Sequence, residues 1–318
     1  MNKASQEAIL YARKYRKVVI WGLRRQWHSH RFIHQGFYET FRHLGIPVVW
    51  TDFTSEPGMI EAGDFVITSN VQGRGTRGHP LAPLQAGAYY CFHGYGHSGY
   101  DGNDRQPRHE MDRKQALNLE VYVNKATAAS DRWDSSTYFD KPSKTLHQAW
   151  GTNVPEEQFR APVISGSPFI FWVGAIWNNA LNQGNLPEIE ELRSALKQRS
   201  LRFVHLKFIP DWVSIPAVRA SRVAPAIAGK WQVEHGYLPC RMFKNISYGQ
   251  LGFSNVPKFS ELYGDCTVPG KSVAELVDNA LSLSKKDAIE MIAAQQKITR
   301  QHTYVHKIRN IFRAMAES

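Results

Sequence analysis

Apolar positions recur along the chain at two periods. "KVVIWG", residues 17–22, is a β run closed by glycine. In "HRFIHQGFYETFRHLG", which follows, Phe32, Ile33, Phe37, Phe41 and Leu44 return every three or four positions, and Gly45 closes the run. That spacing predicts a helix with one buried stripe. "IPVVWTDF" restores a strand, so residues 17–53 read as a β-α-β unit, the building block of a parallel sheet. "GDFVITSN", "AGAYYCFHG" and "LEVYVNKAT" are expected to add three more strands. The long glycine-rich stretches after the first two fall where a parallel sheet places its binding loops.

"LHQAWGTNVPEEQF" reads as a closing turn and "RAPVISGSP" as a linker. A second start follows: the strand "PFIFWV" breaks at Gly174, "LPEIEELRSALKQRS" has helical spacing, and "LRFVHLKFI" is the next strand. The order repeats without the sequence repeating. The expected architecture is therefore α/β, with two Rossmann-like doubly wound domains, 1–165 and 166–318, facing a cleft. The chain ends in "SKKDAIEMIAAQQKITRQHTYVHKIRNIFRAM", expected to be one long helix or two nearly collinear ones that cross back onto the first domain.

Composition narrows the classes. No stretch approaches the roughly 20 apolar residues of a membrane span, and the first residues lack the apolar core of a secretory leader, so the cytoplasm is the expected compartment. Three dispersed cysteines with no CxxC pair argue against a disulfide framework or a thiolate zinc site. A net charge of +11 favours an anionic partner: nucleic acid, an anionic membrane touched peripherally, or a nucleotide and an anionic glycan.

The stretch "YLPCRMFKNISYG" carries the most chemistry. Pro239 favours a helix start, and Arg241, Lys244 and Tyr248, three and four residues apart, share one face while Phe243 and Ile246 face the core. Cations in a first helical turn oppose the helix dipole unless an anion is bound there. An isolated RxxK is also what an amphipathic helix with a solvated basic edge looks like. Trp177, in the loop after a strand, is placed to stack on a base or sugar, and His205 and Lys207 end the strand "LRFVHLKF". In the first half, "WGLRRQWHSHRFIHQGF" brackets a helix start with His28, His30 and His34; His93, His97 and Asp101 lie near another strand end. A histidine is suited to take a proton near neutral pH. Ser29 as a helix cap, or the three histidines as zinc ligands, are the other readings of that stretch.

"RMFKNISYGQLGFSNVPKFSELYGD", "FWVGAIWNN" and "HTYVHKIRNIF" together resemble the donor domain of GT-B glycosyltransferases, the bacterial-type "glycosyl transferases group 1" proteins related to spore-coat maturation proteins. The resemblance covers about residues 166–318 and is weak before them. It implies transfer of a sugar from a nucleotide diphosphate sugar to a hydroxyl of a glycan or glycoconjugate acceptor. Arg241 and Lys244 would neutralise the diphosphate, with Asn245, Ser247 and Tyr248 adding hydrogen bonds and Gly249 letting the backbone approach. Gly174, Trp177, Lys207 and Asn255 would complete the donor site. The resemblance further implies no metal and no cofactor beyond the nucleotide sugar, and the sequence has no DxD. Counting eight on from Glu234 gives Met242, so the Glu-x7-Glu pair of retaining members is absent, which favours inversion with a base from His28, His30 or His34. No nucleic-acid partner is expected on this reading. The competing class is a non-catalytic basic protein that binds nucleic acid or an anionic polymer on a GT-B-like frame.

Overall fold

A computed structural model describes residues 1–24, 29–51, 59–69, 82–94 and 115–318. The chain divides into two compact units, one formed by Met1–Gln148 with Tyr304–Ser318 and the other by Ala149–Thr303.

The first unit opens with α1 (Lys3–Ala12), capped by the Asn2 side chain, which accepts the Ser5 N–H at 2.9 Å. β1 (Val18–Trp21), α2 (Ser29–His43) and β2 (Val48–Thr51) form the expected β-α-β unit. β3 (Phe65–Ser69), β4 (Tyr89–Gly94) and β5 (Ala116–Glu120) then add parallel strands. β6 (Asp131–Asp134), β7 (Thr137–Asp140) and β8 (Thr145–Gln148) complete an eight-stranded sheet in the order β2-β1-β3-β4-β5-β8-β7-β6. Among the described residues only the β6-β7 and β7-β8 pairs are antiparallel. Order reverses between β1 and β3, the switch point at which α/β sheets open a crevice beyond their strands' carboxyl ends. β1 is buried on both faces, as a central parallel strand must be.

Two expectations change here. The strand foreseen in "LEVYVNKAT" ends at Glu120, and Val123–Lys125 is a single 3-10 turn. "LHQ", expected as part of a closing turn, is the end of β8, paired through β7 to strand β6 over "DRWD".

The second unit begins earlier than residue 166. Residues 149–163 bind along it: Arg160 N–H donates to Ser247 O at 2.9 Å and Val163 N–H to Gly249 O at 2.8 Å. β9 (Phe169–Val173), α3 (Leu186–Gln198), β10 (Arg202–Leu206) and α4 (Asp211–Ala220) follow. After them come β11 (Ala224–Pro225), α5 (Lys230–Glu234), α6 (Cys240–Ser247), β12 (Gly252–Phe253), α7 (Pro257–Tyr263), α8 (Val273–Ser282) and α9 (Lys285–Thr299). The strands form two parallel pairs, β10-β9 and β11-β12, where a Rossmann-like doubly wound domain was expected. The pairs are joined at their start by Arg222 N–H donating to Phe169 O at 2.9 Å.

The core of this unit gathers Ile170, Trp172, Leu192, Leu196, Phe253, Val277 and Ile292. Two adjacent amides on α9 tie it together. Gln295 exchanges hydrogen bonds with both backbone groups of Gly252, and Gln296 caps the carbonyls of Ile246 and Arg160. A 3-10 turn at Arg300–His302 ends α9, so the long carboxyl-terminal helix is two helices, and α10 (Tyr304–Glu317) packs on α1 within the first unit.

Candidate functional site

The second unit places one cation where the carboxyl end of a strand meets the start of a helix. Pro239, with φ −67°, precedes α6 and brings Arg241 into the first turn. The helix buries Met242, Phe243 and Ile246 completely, and that fixes which way Arg241 points. Its Nε donates to Val173 O, the last residue of β9, at 2.6 Å. Its guanidinium lies 3.7 Å from the ring centroid of Trp172, itself buried one residue earlier. Burial lowers the Arg241 pKa to about 10, opposed by the Cys240 thiol and the Tyr237 hydroxyl nearby. The group stays cationic at neutral pH, and among the described residues no carboxylate forms an ion pair with it. A desolvated guanidinium at a helix start, with the dipole against it and no ion-paired carboxylate among the described residues, has the chemistry to take an anion.

Gly174 completes this cradle. It has φ +130°, and a Cβ there would overlap the Arg241 guanidinium. Its carbonyl accepts from His205 Nε2 at 2.7 Å and its N–H donates to Leu206 O at 3.0 Å, so the loops leaving β9 and β10 are joined. Beyond β10, Phe208 sits at φ +58°, a conformation rare for a bulky residue, and the exposed Lys207 lies 4.7 Å over its ring.

The other expected donor-site residues fall differently. Lys244 is one turn along from Arg241, with its Nζ 3.7 Å from Asp211 Oδ1 at the start of α4, so its charge is matched inside the protein. Asn153 Nδ2 also reaches that carboxylate, at 3.3 Å. Asn245 is buried and donates to Ala224 O, holding α6 against β11. Ser247 is fully buried, with Oγ donating to Lys244 O at 2.8 Å and lying 3.1 Å from Thr152 Oγ1. Tyr248 is buried among Val218 and Ala224, and burial pushes its pKa up to about 12. None of these three side chains faces solvent.

Gly249 does allow a close approach, but the partner is the chain itself. Its φ is +84°, and the Ala161 carbonyl fills the space of a Cβ. Asn255 answers both backbone groups of Ala228 at 2.8 Å and so shapes the turn before α5. Trp177 is 42% exposed, with its backbone tied to Asn185.

In the first unit His28 lies outside the described residues, as do His97 and Asp101, and the side chain of His30 is not described. His34 is fully buried in α2. Its Nδ1 is 2.8 Å from Gly22 O and its Nε2 is 2.6 Å from Nε2 of His93, also fully buried, in β4. The Gly22 carbonyl, a pure acceptor, places a proton on His34 Nδ1. Neutral His34 then accepts at Nε2 and His93 donates. The carbonyl also accepts from Trp50 Nε1 at 2.9 Å, and Gly22 and Leu23 carry φ +94° and +62°, a strained turn at the switch point.

The sequence reading missed two partners, Trp172 under Arg241 and Asp211 against Lys244. Their only signals were a Trp ending a strand and an Asp opening the next helix. Among the described residues no three His, Cys, Asp or Glu side chains come together to hold a metal. None of the helices there is long and apolar enough to cross a membrane. No family model matches the chain, and a search of curated proteins finds no match.

Proposed function

We propose that the chain is a metal-independent glycosyltransferase of the GT-B type, acting in the cytoplasm. It would move a sugar from a nucleotide diphosphate sugar to a hydroxyl of a glycan or glycoconjugate. The observation that carries this reading is Arg241, a desolvated cation without a carboxylate partner at the carboxyl end of β9. As the acceptor oxygen attacks the anomeric carbon, the bond from that carbon to the β-phosphate oxygen breaks and charge grows on the departing diphosphate. A guanidinium in a dry setting stabilises that charge more than it stabilises the donor before transfer. Lys244 adds a second cation when the diphosphate competes with Asp211 for it.

The reaction also needs a base to take the acceptor proton. Of the expected histidines, His34 has both nitrogens hydrogen-bonded inside the first unit, to Gly22 O and to His93 Nε2. The absence of a Glu-x7-Glu pair fits inversion.

The reading is tested by calorimetric titration with uridine and guanosine diphosphates and with pyrophosphate, each with and without EDTA. Binding that survives EDTA and is lost in Arg241→Ala is expected. If no nucleotide binds but a polyanion does with steep salt dependence, the non-catalytic alternative stands instead.

A further inference from the structure

The loop from β9 to α3, residues 174–185, reads GAIWNNALNQGN and has no ionisable side chain, although the chain as a whole carries +11. It exposes Trp177 to 42% and Leu181 to 65%. Its amides are already ordered. Asn178 Nδ2 donates to Asn182 Oδ1 at 3.0 Å, and Asn179 Nδ2 to Gln183 Oε1 at 2.9 Å. Asn179 Oδ1 in turn accepts the N–H groups of Leu181 and Gln183, and Asn178 Oδ1 that of Gly184. Buried Asn185 anchors the base of the loop by accepting the Trp177 N–H at 3.1 Å. Each of these amide oxygens has a donor. What the loop has left to offer is N–H: Asn182 Nδ2 and Gln183 Nε2 donate to nothing among the described residues.

An exposed indole on the same neutral loop as amide donors without an acceptor among the described residues narrows the ligand's chemistry. An anion is answered by Arg241 at the start of the loop and finds no cation from residue 175 on, and a cation would call for a carboxylate. A wholly apolar partner would bury amide N–H groups without acceptors, at about 1–3 kcal/mol each. An anionic bilayer is matched by basic side chains around the aromatic anchors, and the loop has none. A pyranose answers both features, with a C–H face for the indole and hydroxyl oxygens for the amides. The preformed amide pairs reduce the ordering that binding would cost. A second indole, Trp212, 78% exposed, opens α4 beyond the neighbouring strand β10.

We infer that residues 174–185 form a recognition site for a neutral saccharide, with Trp177 against the sugar ring and Asn182 and Gln183 on its hydroxyls. The loop starts at Gly174, against the Arg241 guanidinium, so the neutral sugar lies next to the anion site. Its place beside a donor rests on the glycosyltransferase reading; its chemistry rests on the loop alone.

The full chain is titrated with maltohexaose, cellohexaose and chitohexaose while the tryptophan indole N–H signals and fluorescence are followed. At least one of these should shift the Trp177 signal and saturate. Trp177→Ala should weaken that binding tenfold or more and Gln183→Ala several-fold, while Lys286→Ala, at an exposed position of α9, leaves it within twofold. Circular dichroism of each variant separates lost binding from lost fold. If none of the three saccharides moves the Trp177 signal while uridine diphosphate still binds, the inference is overturned and the donor site stands. If a saccharide binds through Trp177 but no nucleotide binds, the inference stands and the glycosyltransferase reading fails. Phosphatidylglycerol vesicles serve as a further arm: a Trp177-dependent response to them alone overturns the inference.

Discussion

The guanidinium of Arg241 occupies the space that any side chain at Gly174 would need, and Gly174 turns away from it at φ +130°. The two positions are 67 residues apart and are specified together, because a cation can lie on Trp172 and reach Val173 O only if the next residue has no Cβ. Gly174→Ala is therefore expected to displace the guanidinium. Affinity for a nucleoside diphosphate should fall tenfold or more, about 1.4 kcal/mol, as measured by calorimetry. Unchanged affinity with an intact fold would mean that Arg241 is not the anion's ligand.

Asp211 holds Lys244 at 3.7 Å in a partly exposed pair, so the site is less positive than its sequence suggests. Asp211→Asn keeps a group for Asn153 and removes the counter-charge. Pyrophosphate binding is expected to tighten several-fold at low salt, and the gain should shrink as salt screens it. Stability should change by less than about 1 kcal/mol in a thermal melt, the usual scale of such pairs. Weaker pyrophosphate binding would instead make Asp211 part of the ligand's own contacts.

Much of this arrangement is visible in the sequence, and the part that is not has physical causes. The β-α-β unit of residues 17–53 announces itself because its strands are buried and its helix is amphipathic, each with its own period. α6 was legible for the same reason: Phe243 and Ile246 fix the core side, which puts Arg241 and Lys244 on one face. The meander β6-β7-β8 was not, since strands of four residues with Asp131, Asp134 and Asp140 in them are too short to show a period. Nor could spacing tell Arg241 from Lys244. That difference comes from Asp211, 33 residues before Lys244, and from Trp172, both contacts made only by the fold. Ser247, Asn245 and Asn255 are polar residues next to a cationic helix turn, yet each answers backbone groups, which buried amides and hydroxyls must do.

The His34–His93 pair makes a prediction about stability and tautomer. Two facing Nε2 atoms at 2.6 Å share one proton. His93→Gln retains an amide donor for His34 and should cost little. His93→Phe leaves a buried imidazole nitrogen without its donor and should cost about 1–3 kcal/mol in urea unfolding. Nitrogen-15 shifts of the imidazoles in the intact protein should report His34 protonated at Nδ1. A His34 signal protonated only at Nε2 would reverse the direction of the bond.

The carboxyl-terminal helix gives the first unit a pH dependence whose sign follows from burial. Lys307 on α10 is 1% exposed, and burial lowers its pKa to about 8, with Arg309 reinforcing and Asp134 opposing. Between about 8 and its ordinary 10.5 the unfolded chain holds a proton that the folded chain lacks, so stability rises with pH across that window. His306, partly buried, is lowered to about 4 by burial and by Arg309 and Lys307. It is neutral in the fold above that value, while the unfolded residue takes up a proton below 6.5; stability is therefore lost as pH falls from 6.5 towards 4. Each limb is worth at most on the order of 3 kcal/mol. Unfolding curves from pH 4 to 10.5 should show both slopes. His306→Gln should flatten the acid limb and leave the alkaline one, while Lys307→Met should remove the alkaline limb and shrink the acid one, because Lys307 helps to lower His306. Complete loss of the acid limb in Lys307→Met would show that the Lys307 charge, and not burial, sets the His306 shift.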